Sequence, residues 1–130
     1  MPYLLDTSVA IHLRERQDDI VRKFESLSEL PFISVVTQVE LEGGVYAPQT
    51  DAEGRREAVD ALLDILPAIP FDAHMATLYG QIIARSGFNR RKLVDRMIAA
   101  TAIAHDLTLI TANGSDFADI EGLTLMVWTA

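Results

Sequence analysis

A chain of 130 residues that is 49% apolar, with five prolines and seven glycines, has the length and composition of one packed domain spanning residues 1–130 rather than of a disordered tract. It contains no cysteine, which excludes disulfides and cysteine-held zinc. It also shows no basic-then-apolar leader and no apolar run near membrane-spanning length, so a soluble cytoplasmic protein is expected. The net charge of −8, from 11 basic and 19 acidic residues, excludes a generally basic phosphate-binding surface. It leaves open acids gathered around a cation with the bases on a rim.

In chain order, Tyr3-Leu4-Leu5 reads as a short buried strand that ends in a carboxylate, Asp6. Thr7 or Ser8 can cap the helix that follows, whose apolar face carries Val9, Ile11 and Leu13 in part. Asp6 is therefore expected at the carboxyl end of the first strand, the edge where open α/β sheets bind ligands. Gln17 to Leu30 reads as a second helix with Ile20, Phe24 and Leu27 at helical spacing. Pro31 stops it, and Phe32-Ile33 is a second short strand.

Ser34 or Thr37 caps a third helix that runs towards Tyr46 and carries Glu40. Gly43 and Gly44 each cost about 1 kcal/mol in a helix relative to Ala. Either the missing side chains make room for something beside Glu40, or the glycines merely fray the helix end. Asp51 to Leu66 is the clearest amphipathic helix. Ala68-Ile69-Pro70-Phe71 suits an edge strand, since Pro70 donates no ladder hydrogen bond. Asp72 is placed to cap a helix from Ala73 to Arg85.

A basic loop follows, and Arg85, Arg90, Arg91, Lys92 and Arg96 put five of the eleven cations within twelve positions. Asp95 opens an alanine-rich helix that can lie close on a sheet, although an acid also suits a helix start on its own. His105 fits an interaction with the last carbonyls of that helix better than a metal-binding role. Leu107 to Ile110 is the next strand, and a polar loop from Thr111 to Phe117 leaves its carboxyl end. Leu123 to Trp128 is the last strand. The order calls for an α/β fold: a mainly parallel sheet with helices on both faces, a three-layer α/β/α sandwich.

In such a sheet Asp6, Glu40, Asp95 and Asp116 can converge over the carboxyl edge. Carboxylates that close repel unless a cation compensates. Hard oxygen donors without Cys or a His partner point to Mg²⁺ or Mn²⁺ rather than zinc. Such ions activate water and stabilise displacement at phosphorus. A phosphatase with a nucleophilic aspartate would want an acid where Ser8 stands, and a phosphoacceptor domain would want an acidic pair in the first loop; neither pattern fits.

Four segments carry a further resemblance: Leu4 to Ser8, Ile33 to Leu41, Asp95 to His105 and Leu109 to Phe117. In this order and spacing they resemble the PIN-domain family, and more narrowly its VapC-type toxin ribonucleases, over nearly the whole chain. The resemblance implies Mg²⁺- or Mn²⁺-dependent endonucleolytic cleavage of RNA, with Asp6, Glu40, Asp95 and Asp116 as metal-binding catalytic acids. It implies that Thr7 and Thr111 orient a ligand or water. Many relatives carry an acid where Asn113 stands; Asn113 still offers a carbonyl oxygen, and the fourth acid is then Asp116. It also implies a homodimer and a VapB-like antitoxin as partner. The cations Arg85, Arg90, Arg91, Lys92 and Arg96 are expected on a rim that grips RNA, with Arg14 and Arg16 as weaker candidates. Phe24 and Leu27 are expected in the core, with an antitoxin-facing surface as the other option. The competing reading is a non-catalytic PIN-like module that binds an antitoxin or a regulatory complex.

Overall fold

A computed structural model describes residues 2–129. Along them run β1 (Tyr3–Leu5), α1 (Thr7–Arg14), α2 (Asp18–Glu25), β2 (Phe32–Ser34), α3 (Val35–Val45) and α4 (Ala52–Ile65). They continue with β3 (Ala68–Ile69), α5 (Ala73–Ser86), α6 (Leu93–Ala104), β4 (Thr108–Thr111) and β5 (Leu125–Val127). The strands form one sheet in the order β3-β2-β1-β4-β5. Every neighbouring pair is parallel, where a mainly parallel sheet was expected.

Both faces of this sheet are covered, which is why its strands show no apolar–polar alternation. Leu4 and Leu109 turn to one face, with Ile98, Ala99, Ala102 and Phe117. Leu5 and Ile110 turn to the other, with Val9, Leu13, Ile20 and Trp128. The small side chains Ala99, Ala100 and Ala102 are fully buried, so α6 packs closely on the sheet. Fully burying a leucine-sized side chain contributes roughly 1.5–3 kcal/mol. A third cluster, Ala10, Leu41, Val45 and Val59, joins α1, α3 and α4. Among the described residues no helix is long and apolar enough to cross a membrane.

Local signals set most boundaries. Ser34 Oγ accepts from Val36 N at 3.0 Å and Asp72 Oδ1 from Met75 N at 3.0 Å, so both expected caps form. The second helix is shorter than expected: it ends at Glu25, and Gln17 caps it by accepting from Ile20 N. Phe24 and Leu27 pack against the buried cluster that includes Ile20 and Leu66, so they belong to the core. The glycine pair in α3 does not fray the helix. The helix continues to Val45, and a Cβ on Gly44 would meet Nη1 of Arg14 at 2.9 Å. Gly44 makes room for an arginine, whereas nothing lies within 4 Å of a Cβ placed on Gly43.

Candidate active site

The strand order reverses between β1 and β4: β2 and β3 follow on one side of β1, and β5 follows on the far side of β4. Crevices at such a reversal, beyond the carboxyl ends of the strands, are the usual ligand sites of open α/β sheets. Asp6 follows β1 there, and Thr111 ends β4 beside it: Asp6 N donates to Ile110 O at 2.8 Å.

Asp6 occupies the N-cap position of α1 but does not cap it, since its side chain makes no capping hydrogen bond. Its carboxylate is used otherwise. Oδ2 accepts from Thr111 Oγ1 at 2.8 Å and from Ser8 Oγ at 2.7 Å. Each hydroxyl is oriented in turn by a backbone amide: Asn113 N donates to Thr111 Oγ1 at 3.0 Å and Ala112 N to Ser8 Oγ at 3.1 Å. With their lone pairs engaged by N–H groups, both hydroxyls direct their protons onto the same oxygen. Oδ1 is buried and has no partner. A buried carboxylate oxygen left so costs about 1–3 kcal/mol or more. That is the signature of an atom reserved for a ligand.

Burial, then repulsion from Asp6, Asp116 and Glu40, pushes the Asp95 carboxyl up to about 6, and nearby Lys92 only partly offsets this. The other three acids expected from the sequence are thus within electrostatic reach of Asp95. Asp6 is buried, Asp95 and Asp116 are half-buried, and Glu40 is exposed on α3. Among the described residues no three acidic or histidine side chains stand close enough to grip one ion as they are. Asp95 is the third residue of α6 rather than its cap; Lys92 holds that position without a capping hydrogen bond. The bare Asp6 oxygen and the crowded, uncompensated carboxylates fit a hard divalent cation, and the oxygen-only donor set suits Mg²⁺ or Mn²⁺.

The turn that carries Asn113 and Asp116 is seated tightly. A Cβ on Gly114 would come within 2.7 Å of Val127 Cγ2, so only glycine lets this turn lie against β5. Asn113 is exposed.

Several expected roles are redrawn. Thr7 Oγ1 bonds Thr37 Oγ1 at 2.9 Å in the interior, joining α1 to α3. Ser8, which the sequence suggested only as a cap, takes the place beside Asp6. The i, i+2 spacing from an acid at a helix start is the signal that could have found it. Arg96 is no rim cation: it is 2% exposed, and its Nη2 donates to Asp119 Oδ2 at 3.1 Å. The backbone of α6 turns residue 96 inward, one position after Asp95, and burial removes it from any backbone-gripping surface. Arg85 is exposed but ion-paired with Glu121. Arg90 and Arg91 are exposed and Lys92 half-exposed, in a 3-10 turn just before α6. Arg14 is largely buried against Gly44, and Nη2 contacts Glu15 at 3.3 Å.

Comparison with known proteins agrees with this geometry. The PIN domain model matches residues 3–123. The chain is 29% identical to ribonuclease VapC2 of Rickettsia felis, covering 98% of each chain. It is 32% identical to ribonuclease VapC1 of the same organism, covering 97% of this chain and 96% of that one. Among solved structures it resembles VapBC2 from Rickettsia felis bound to a DNA fragment from their promoter. That likeness has a TM-score of 0.85 at 28% identity, covering 98% of this chain and 99% of the other. The chain belongs to the PIN-domain family and, within it, to the VapC ribonucleases.

Proposed function

We propose that the chain is a Mg²⁺- or Mn²⁺-dependent endoribonuclease, the toxin of a type II toxin–antitoxin pair, acting in the cytoplasm as a single nuclease domain over residues 1–130. The observation that carries this reading is the Asp6 carboxylate. One oxygen is locked by Ser8 and Thr111 and the other is buried without a partner, while Asp6, Asp116 and Glu40 all act on the nearby Asp95 carboxyl.

Asp6, Glu40 and Asp95 would hold the ion, and Asp116 would complete the acidic set. Bound there, the ion supplies a water of lowered pKa and a countercharge for the leaving 3′ oxygen. The chain's own residues do the rest. Thr111 and Ser8 fix the Asp6 carboxylate in one orientation, so little reorganisation is needed when a ligand arrives. Lys92 lowers the crowding at Asp95 and helps keep it ionised. Arg90 and Arg91, on the turn before α6, hold phosphates of the RNA and supply the attraction that the overall charge of −8 denies.

VapBC assemblies among the similar structures support a VapB-like antitoxin as the partner that restrains this site, and the chain would act as a homodimer. The test is digestion of total cellular RNA by the purified, antitoxin-free protein with Mg²⁺ or Mn²⁺, beside EDTA and Asp6→Asn controls. Discrete fragments that disappear in both controls are expected. A folded protein that leaves RNA intact would instead support a non-catalytic binding module.

A further inference from the structure

Several large apolar side chains exposed on this surface stand beside acids: Leu30 follows Glu29, Val39 precedes Glu40 and Ile65 follows Asp64. Phe88 differs. It is 69% exposed, and Arg90, Arg91 and Lys92 come directly after it. Among the described residues none of these three cations is in an ion pair, whereas Arg85 and Arg96 on either side are each held by an acid.

The loop is shaped to present this group. Gly87 ends α5 with φ +86°, a backbone conformation that a side chain would strain, and the chain turns outward there. Asn89 Oδ1 then accepts from Arg91 N at 3.0 Å, which fixes the 3-10 turn. That turn runs straight into α6, whose first turn carries Asp95. Lys92 stands four positions after Phe88, so their Cα atoms lie at most about 14 Å apart. An exposed ring and a row of unpaired cations are thus tethered within a few nucleotides' reach of the acidic site.

We infer that Phe88 is a base-stacking residue of this nuclease, which takes an unpaired base of the RNA beside the cleavage site. The inference rests on the ribonuclease reading above. An aromatic face beside backbone-binding cations is the arrangement that holds single-stranded nucleic acid. The ring takes a base, the guanidinium groups take the flanking phosphates, and neither reads sequence strongly. A paired base is stacked between its neighbours and cannot reach the ring, so a duplex is a poor substrate. Charge complementarity favours RNA as the occupant over a protein partner, because the surface around the ring is cationic on an otherwise acidic chain.

The experiment uses an oligoribonucleotide copied from a site mapped in the total-RNA digest, alone and covered by its complement, with wild type, Phe88→Leu and Phe88→Trp in Mg²⁺. Wild type should cleave the single strand and spare the duplex. Phe88→Leu keeps the apolar bulk but loses the ring face. It should raise KM about tenfold with kcat little changed, and Phe88→Trp should restore the wild-type KM. A Phe88→Leu enzyme with wild-type KM, or equal cleavage of the duplex, overturns the inference while leaving the nuclease reading intact. So does a raised KM with a halved mass in light scattering, which would assign the ring to contact with a second copy. Failure of the wild type to cleave either strand or total RNA strikes the nuclease reading itself, and this inference with it.

Discussion

The charged residues of this chain fall into two regions that the structure treats in opposite ways. At the reversal point of the sheet, Asp6, Asp95, Asp116 and Glu40 crowd together and only Lys92 partly offsets them at Asp95. Along residues 85–96, two of the five expected rim cations are taken up by the fold: Arg85 is tied to Glu121 and Arg96 is sunk against Asp119. A charge that the fold has matched is structural, whereas a charge left unmatched at a cost of stability is available to a ligand. By this criterion the acids form the reaction site, and only Arg90, Arg91 and Lys92 remain for RNA.

The sharpest way to break this contrast is at Asp6. Asp6→Asn keeps the shape and removes the charge, and should lower cleavage by about 10²–10³-fold. A variant within a few-fold of wild type in a fragment-release assay would move the site elsewhere. Next is the matched pair. Asp119→Ala strands a buried guanidinium whose Nε and Nη1 already lack partners, so it should destabilise the fold by about 3 kcal/mol. Arg96→Met, which fills the same volume without charge, should be near neutral, and both are read by urea denaturation. If Arg96→Met instead weakens RNA binding without altering stability, Arg96 belongs to the rim after all.

The two hydroxyls on Asp6 give a smaller effect. Thr111→Val or Ser8→Ala should cost roughly 10–100-fold in activity or metal affinity, with retained folding by circular dichroism. Smaller still is the crowding at Asp95. Because its carboxyl is raised to about 6, the fold binds that proton more tightly than the unfolded chain does. Below about pH 4 both states hold the proton and ionisation costs nothing. Between there and about 6 the metal-free protein loses stability, and above about 6 the loss is complete. Asp95 is half-exposed, so solvent screening leaves this on the order of 1 kcal/mol. Asp95→Asn should therefore melt above wild type at pH 7.5 without metal, match it near pH 4, and gain less from added Mg²⁺. Equal melting curves at both pH values would show that the acids do not crowd. The smallest effect is on the rim, where Arg90→Ala or Arg91→Ala should each reduce the salt slope of RNA binding by about one.

How much of this was legible in the sequence follows from the range over which each signal acts. Caps, prolines and apolar runs act within a few residues, and they placed the strands, the caps at Ser34 and Asp72, and the carboxyl-edge position of Asp6. They failed at α2, where the apolar spacing of Leu27 continues past Glu25 although the helix does not. The order of elements called for a parallel sheet with two covered faces, because parallel strands need crossovers and crossovers bury both sides.

What only the tertiary structure decided is which partner each polar group meets across the fold. Thr7 and Ser8 are adjacent in the chain, yet one bonds Thr37 across thirty residues and the other supports Asp6. Asp95 and Arg96 are likewise adjacent, but a helix turns successive residues about 100° apart, so one joins the acids and the next is buried against Asp119. Gly44 made room for Arg14 rather than for a ligand, a contact between α3 and α1 that no local pattern announces. The residue types and their order determined which chemistry was available to this chain. The packing of helices on the sheet decided which groups were left unpaired to perform it, because burial and pairing depend on neighbours that are distant in the chain.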